Sequence, residues 1–310
     1  LAEPGENAGS GMTKCTNYVD RHRLDGSMRL VVGTGWYANK DVRDYKTYGS
    51  DEIRTNSYRS LWWAGVNQFL SPDSVVIIDS ASPIKPRDVD CSDYPIQNIV
   101  LLANPGHSSE TDFHYSGWTA SVILGLEYAY LSGADVFIYV EQDVALWERD
   151  KGALHKEVME ALGQCPYVFG SGRGTPQVLQ QSFFAIHRRG MRQFLAGLHG
   201  IELTDKNLPP ETKFHIALSR RFMKAPLSLL SDTRWLEGLP IPLQRIFSRI
   251  QGTLRKALMQ ITRNYQVWDF GYGRSRPINF DAHVFYFQHG TKSELLQYRK
   301  KMRIALEENC

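Results

Sequence analysis

In the stretch Asp135-Val-Phe-Ile-Tyr-Val-Glu-Gln-Asp-Val-Ala-Leu146, five apolar residues run straight into two carboxylates one residue apart, Glu141 and Asp143. A continuous apolar run of this kind predicts a strand buried on both faces. The acids then stand at its carboxyl end, the edge where ligands bind in open α/β sheets. Alternate residues of an extended segment point the same way, so Glu141 and Asp143 can face one site. Two such carboxylates repel each other unless a cation lies between them. Hard oxygen ligands suit Mg2+ or Mn2+, ions that also take substrate phosphates. The spacing alone also fits two solvated acids. The buried strand before it, the apolar residues after it and a glycine-bounded helix upstream favour a metal site completed by a nucleotide diphosphate.

Working outward, the helix is Gly117 to Gly133, with Val122, Leu124, Leu126, Ala129 and Leu131 inside it and Gly133 as its stop. Further strands are expected at Arg29–Tyr37, where the apolar run should end in a tight loop at Gly33 and Gly35, and at Ser74–Asp79, Asn98–Ala103, Pro166–Phe169 and Ser182–Ile186. Helices are expected over Ser57–Leu70, His155–Leu162, Arg188–Leu198 and Glu211–Phe222. Strands alternating with helices predict an α/β domain with a mainly parallel sheet. The expected organisation is a flexible tail over 1–27, a catalytic domain over 28–239 and a C-terminal part over 240–310. In the last, Ile241, Leu243, Ile246, Phe247, Ile250, Leu254, Leu258 and Ile261 recur at helical spacing among Arg245, Arg249, Arg255, Lys256 and Arg263. That pattern predicts an amphipathic basic helix over 240–264, with a break near Gly252. It fits a helix docked on the core, and it also fits peripheral contact with an anionic membrane.

The bulk properties narrow the class. At 310 residues and 42% hydrophobic the chain can bury a full-sized core. A net charge of +3 is too small to suggest a nucleic-acid binder. Cys15, Cys91, Cys165 and Cys310 are too widely spaced for a metal knuckle, and read as free thiols in a reducing compartment. There is no apolar run long enough to span a bilayer, and the first residues lack the basic and apolar regions of a secretory signal. The expected location is cytoplasmic, with membrane contact limited to 240–264.

The segment Gly117–Leu146, a helix leading to a strand that ends in Glu141-Gln142-Asp143, resembles the core of the GT-A glycosyltransferases, in which that junction carries the DXD motif. The first Asp is Glu here, which makes the role of Glu141 less defined than that of Asp143. The resemblance implies a GT-A-like (Rossmann-like) α/β fold that binds a nucleotide-sugar donor and a glycan or glycoconjugate acceptor. By the same resemblance, Asp143 binds the metal and Glu141 lies near the ribose or the metal. Gly33, Thr34, Gly35 and Trp36, with Tyr37, fit the loop that touches the nucleotide, and Asp79 fits the acid near its base. Asp79 also suits a turn cap before Pro83. Glu211, at the start of Leu208–Arg221, matches a family carboxylate, although the usual xED pattern is broken by Thr212. An inverting transferase needs such a general base, with Asp205 and Asp232 as reserves. Phe285-Tyr-Phe-Gln-His-Gly290 offers His289 as a further metal ligand, and imidazole suits Mn2+ better than Mg2+. Arg274 and Arg276, in a glycine-containing loop, could grip the diphosphate. Gly170-Ser-Gly-Arg-Gly174 could line the acceptor cleft.

The chain is therefore expected to be a divalent-metal-dependent glycosyltransferase. A sugar-phosphate nucleotidyltransferase is the first alternative, disfavoured by the short loop after the first strand. A non-catalytic nucleotide-sugar or carbohydrate-binding domain is the second.

Overall fold

Strand alternation sorts the apolar residues onto two faces of one sheet. In the computed structural model, residues 28–39, 54–86, 94–171, 179–219, 226–227, 230–232, 236, 238–268 and 278–302 are described. Their elements run β1 (Leu30–Trp36), α1 (Asn56–Phe69), β2 (Ser74–Asp79), β3 (Ile96–Val100), α2 (Gly117–Leu131), β4 (Val136–Val140), β5 (Val144–Glu148), α3 (Ala153–Gln164), β6 (Tyr167–Ser171) and β7 (Leu179–His187). Then come α4 (Arg188–His199), α5 (Pro210–Leu218), α6 (Ile241–Ile261), β8 (Gln266–Trp268), β9 (Val284–Gln288) and α7 (Lys292–Met302). Seven strands form a sheet in the order β3-β2-β1-β4-β7-β6-β8, and β5 and β9 form a separate pair. All seven are parallel except β7, which is antiparallel to both its neighbours. The fold is thus α/β, with a mostly parallel mixed sheet flanked by helices.

All five residues of β4 are buried. Phe137 and Tyr139 pack on one side with α2, α4 and α5, while Val136, Ile138 and Val140 pack on the other with α1 and α3. Each such side chain contributes roughly 1.5–3 kcal/mol. The third expected strand is different. β3 is an edge strand, half exposed, with Val100 at 53% and Leu102 beyond it fully open. It pairs with β2 alone, and its exposed side chains show that its faces are not both covered.

The glycines of β1 correct the expected strand end. The strand does not stop at a Gly33–Gly35 loop but runs on to Trp36. A Cβ at Gly33 would come within 2.5 Å of the Phe137 ring, and one at Gly35 within 2.6 Å of Ser121 Oγ. Gly125 of α2 leaves room for the same ring. These residues are small so that α2 and a phenylalanine can lie against the strand. Beneath them Tyr139 Oη meets Ser121 Oγ at 2.9 Å and accepts from the Gly35 N–H at 3.2 Å. That satisfies a phenol whose ionisation burial strongly disfavours.

Two further polar side chains are satisfied inside the fold. Glu148 ends β5 and turns its carboxylate onto the start of α3, accepting from Gly152 N at 2.7 Å and Leu154 N at 2.9 Å. His215 of α5 is fully buried, with Nδ1 3.0 Å from Tyr265 Oη and Nε2 3.0 Å from Thr262 Oγ1. Burial, helped by Arg263, pushes its pKa from 6.5 down to about 4. The unfolded chain therefore binds a proton between those values that the folded chain does not. Its contribution is complete above pH 6.5 and is lost as pH falls toward 4, at most about 3 kcal/mol. Urea unfolding at several pH values should show this. His215→Gln should flatten the slope of stability against pH in that window by about one proton; an unchanged slope would exclude this source.

Helix α6 runs unbroken through Gly252, contrary to the expected interruption. A single glycine in a helix costs about 1 kcal/mol, too little alone to break it. No helix among the described residues is long and apolar enough to cross a membrane. Cys165 is a free thiol. The other three cysteines and the 1–27 tail lie outside the described residues.

Candidate active site

The parallel strands bring Trp36, Asp79 and Val140 to one edge of the sheet, and the chain leaves β4 there by a tight turn. Glu141 N donates to Ser182 O of β7 at 2.8 Å, and Val144 N closes back on Glu141 O at 3.0 Å. Only Glu141, Gln142 and Asp143 lie between β4 and β5. β5 then leaves the main sheet and pairs antiparallel with β9, placing Val144 opposite Gln288. That register carries Gln288 and His289, some 145 residues along the chain, to the side of Asp143. Helix α7 holds β5, with Tyr298 Oη donating to Leu146 O at 2.7 Å, and α1 holds the end of β4, with Trp62 Nε1 donating to Val140 O at 3.3 Å.

The polar contacts converge. Gln288 Nε2 donates to Glu141 Oε2 at 2.7 Å and Asp143 Oδ1 at 3.1 Å, and its Oε1 accepts from Ser182 Oγ at 2.6 Å. His289 Nδ1 lies 2.9 Å from Asp143 Oδ2. Arg54, just before α1, donates through Nη2 to that same Oδ2 and lies 2.8 Å from the same Nδ1. His289 adopts a positive φ of 56°. For a non-glycine residue that backbone costs about 1 kcal/mol or more, and such strain tends to persist where function holds it.

Asp143 is completely buried. Burial alone would raise its pKa, but Arg54, His289 and the Gln288 hydrogen bond outweigh it and hold the carboxylate well below the usual range. Glu141 goes the other way. Burial, then Asp143, with a further push from Glu211, lifts it to about 8 against the pull of Arg54 and Gln288. One acid is kept ionised and its neighbour holds a proton near neutral pH.

These donors pass a simple test for a divalent ion. Asp143 Oδ2 and His289 Nδ1 both face one guanidinium nitrogen, so they already gather round a cation. Their 2.9 Å separation suits adjacent ligands of an ion with bonds of about 2.1 Å. Glu141 does not join them directly; Gln288 stands between it and Asp143. Among the described residues no three His, Cys, Asp or Glu side chains are grouped so as to hold a metal. The protein thus offers two converging ligands, and phosphate or water would supply the rest.

The other residues singled out from sequence divide. Glu211, in the first turn of α5, lies close enough to Glu141 to raise its pKa. Asp79 stands at the end of β2, where Oδ1 accepts from Ser82 N at 2.7 Å and Oδ2 meets Lys85 Nζ at 2.9 Å, the turn-capping role. Trp36 is buried in the core, its indole N–H bonded to Ile84 O at 2.9 Å and its ring beneath the Arg59 guanidinium. That burial removes its face from base stacking; the neighbouring Tyr37 is only half-buried. Thr34 is buried within the strand. Gly33 and Gly35 serve packing, as described above. Asp205 is locked in a buried ion pair with Lys213, which leaves no carboxylate free to take a proton. Asp232 is seen through its carbonyl, which accepts from Gln251. Arg274 and Arg276 lie outside the described residues, as does most of the 170–174 loop beyond Ser171.

Four positioning residues escaped the sequence reading. Gln142, the middle of the triplet, clamps the neighbouring strand end: Oε1 accepts from Tyr37 N at 2.6 Å and Nε2 donates to Tyr37 O at 3.0 Å. Gln288, Ser182 and Arg54 complete the set. Only Gln288 carried a signal, its place beside His289 at the end of an apolar run. A comparison of the chain with protein-family models finds no match, and a comparison with curated proteins likewise finds none.

Proposed function

We propose that this chain is a glycosyltransferase with a GT-A-like fold, moving a sugar from a nucleotide-diphosphate sugar to the hydroxyl of a glycan or glycoconjugate. Its main support is the convergence of Asp143 Oδ2 and His289 Nδ1 on one cation position at the ligand-binding edge of the sheet. Asp143 and His289 would hold Mn2+ or Mg2+, with Glu141 beside them. When bound, the ion offsets charge that grows on a leaving diphosphate. The residues of the chain do the rest. Gln288 and Ser182 orient the two acids. Gln142 holds the Tyr37 segment at the nucleotide side. Glu211, half-exposed near Glu141, is the base for the acceptor hydroxyl, with inversion at the anomeric carbon as the outcome.

Thermal-shift measurements with UDP-, GDP-, ADP- and dTDP-sugars, each with and without Mn2+, test this directly. One donor should raise the melting temperature only when the metal is present, since a ligand that binds the folded state stabilises it by mass action. The same donor should be turned over with release of its nucleoside diphosphate. Failure of all four with Mn2+ would reject the proposal.

Arg54 favours a second reading. Its guanidinium already supplies a positive charge at Asp143 and His289, so it could itself hold the diphosphate without a metal. Transfer that is undiminished in excess EDTA and lost in Arg54→Gln would select that version.

A further inference from the structure

Helix α6 turns an apolar stripe outward. Among the described residues its C-terminal half packs on the core, through Gln251, Met259 and the following Thr262, all buried. From Ile241 to Ile250 every residue but Gln244 is exposed. Seven of the thirteen large apolar side chains exposed among the described residues lie on this one helix: Ile241, Leu243, Ile246, Phe247, Ile250, Leu254 and Ile261. Six of them follow the helical repeat, in a stripe through 243, 246, 247, 250, 254 and 261, while Arg245 and Arg249 fall on another side. Apolar patches of this extent on a lone domain mark an interaction surface. Its charge selects the partner. From Gly238 to Trp268 the sequence has five basic residues and no Asp or Glu. With no acid in this segment to pair with, these cations call for a partner of negative charge. An anionic lipid surface accepts both features, the stripe in the acyl boundary and the guanidinium groups among the headgroups.

We propose that α6 lies in the surface of an anionic membrane and docks the domain there reversibly. Four basic residues within its span, and the absence of a membrane-spanning helix among the described residues, favour lying on the bilayer rather than crossing it. The docking is independent of the reaction proposed above.

Co-sedimentation with phosphatidylcholine vesicles, plain or carrying about 30% phosphatidylserine, tests the proposal. The wild-type chain should bind the anionic vesicles at least about tenfold more tightly than the neutral ones, and less tightly as salt rises. The triple variant Ile246→Ser, Ile250→Ser, Leu254→Ser changes only exposed positions, so its thermal melt should match the wild type while binding falls about tenfold or more. Arg245→Glu with Arg249→Glu should lose binding to the same degree. Wild-type protein that stays in the supernatant with anionic vesicles overturns the proposal. So does equal binding by both variants. A wild-type dimer that ignores vesicles and becomes monomeric in the triple variant would assign the face to self-association instead.

Discussion

If the proposed function holds, Asp143→Asn is expected to lower sugar transfer by about a thousandfold while the protein stays folded. The substitution keeps the shape of the side chain and removes its charge. It thereby removes the anion that Arg54 and His289 gather around, and the only carboxylate of the pair held ionised near neutral pH. Some loss of stability should accompany it, because Arg54 is only 13% exposed and would lose its counter-charge. Circular dichroism and a cooperative melt separate that cost from the loss of chemistry. Glu141→Gln should be milder, since Gln288 stands between Glu141 and Asp143 and Glu141 does not share the cation position. Wild-type activity in folded Asp143→Asn protein would remove the site from the mechanism.

The largest effect on stability is expected at Lys213. Its ammonium group and the Asp205 carboxylate are both inaccessible to solvent and 2.6 Å apart. Asp205 Oδ2 accepts from Ser116 N at 2.7 Å and Ser116 Oγ at 2.8 Å, at the N-cap of α2. Its other oxygen has no hydrogen-bond partner apart from that ammonium. Lys213→Met would leave a buried carboxylate facing an apolar side chain, a cost of about 3–5 kcal/mol. For a chain of this size the melting temperature should fall by about 10 °C. Adding Asp205→Asn should recover part of that loss, because the orphaned charge goes while both contacts to Ser116 can remain. A double variant less stable than Lys213→Met would contradict the ion-pair explanation. Lys213 follows Glu211 by two residues, so the pair also anchors the first turn of α5 against α2.

How far the sequence could be read depends on how local each signal is. The β4 run, its acids and the α2 helix ending at Gly133 are local patterns, and the structure has each where it was expected. His289 was legible as the end of an apolar run, but its partner strand was not. β5 begins one residue after Asp143, too soon for a loop signal, and its mate lies some 140 residues away. The glycines of β1 misled for a related reason. A glycine that opens a tight loop at a nucleotide and one that admits a phenylalanine ring look alike until the crossing helix is known. Trp36 was expected at a nucleotide, and instead its indole N–H finds a carbonyl inside the core. Arg54 carries no motif at all; it matters only because α1 starts beside the β5–β9 pair.

The most direct test of the central claim is a titration of Mn2+ followed by electron paramagnetic resonance, in which the free-ion signal disappears on binding. Wild-type protein with a nucleoside diphosphate should take up one Mn2+, and Asp143→Asn and His289→Ala should each take up little or none. Equal uptake by all three proteins, or none by the wild type, would contradict a cation held between Asp143 and His289.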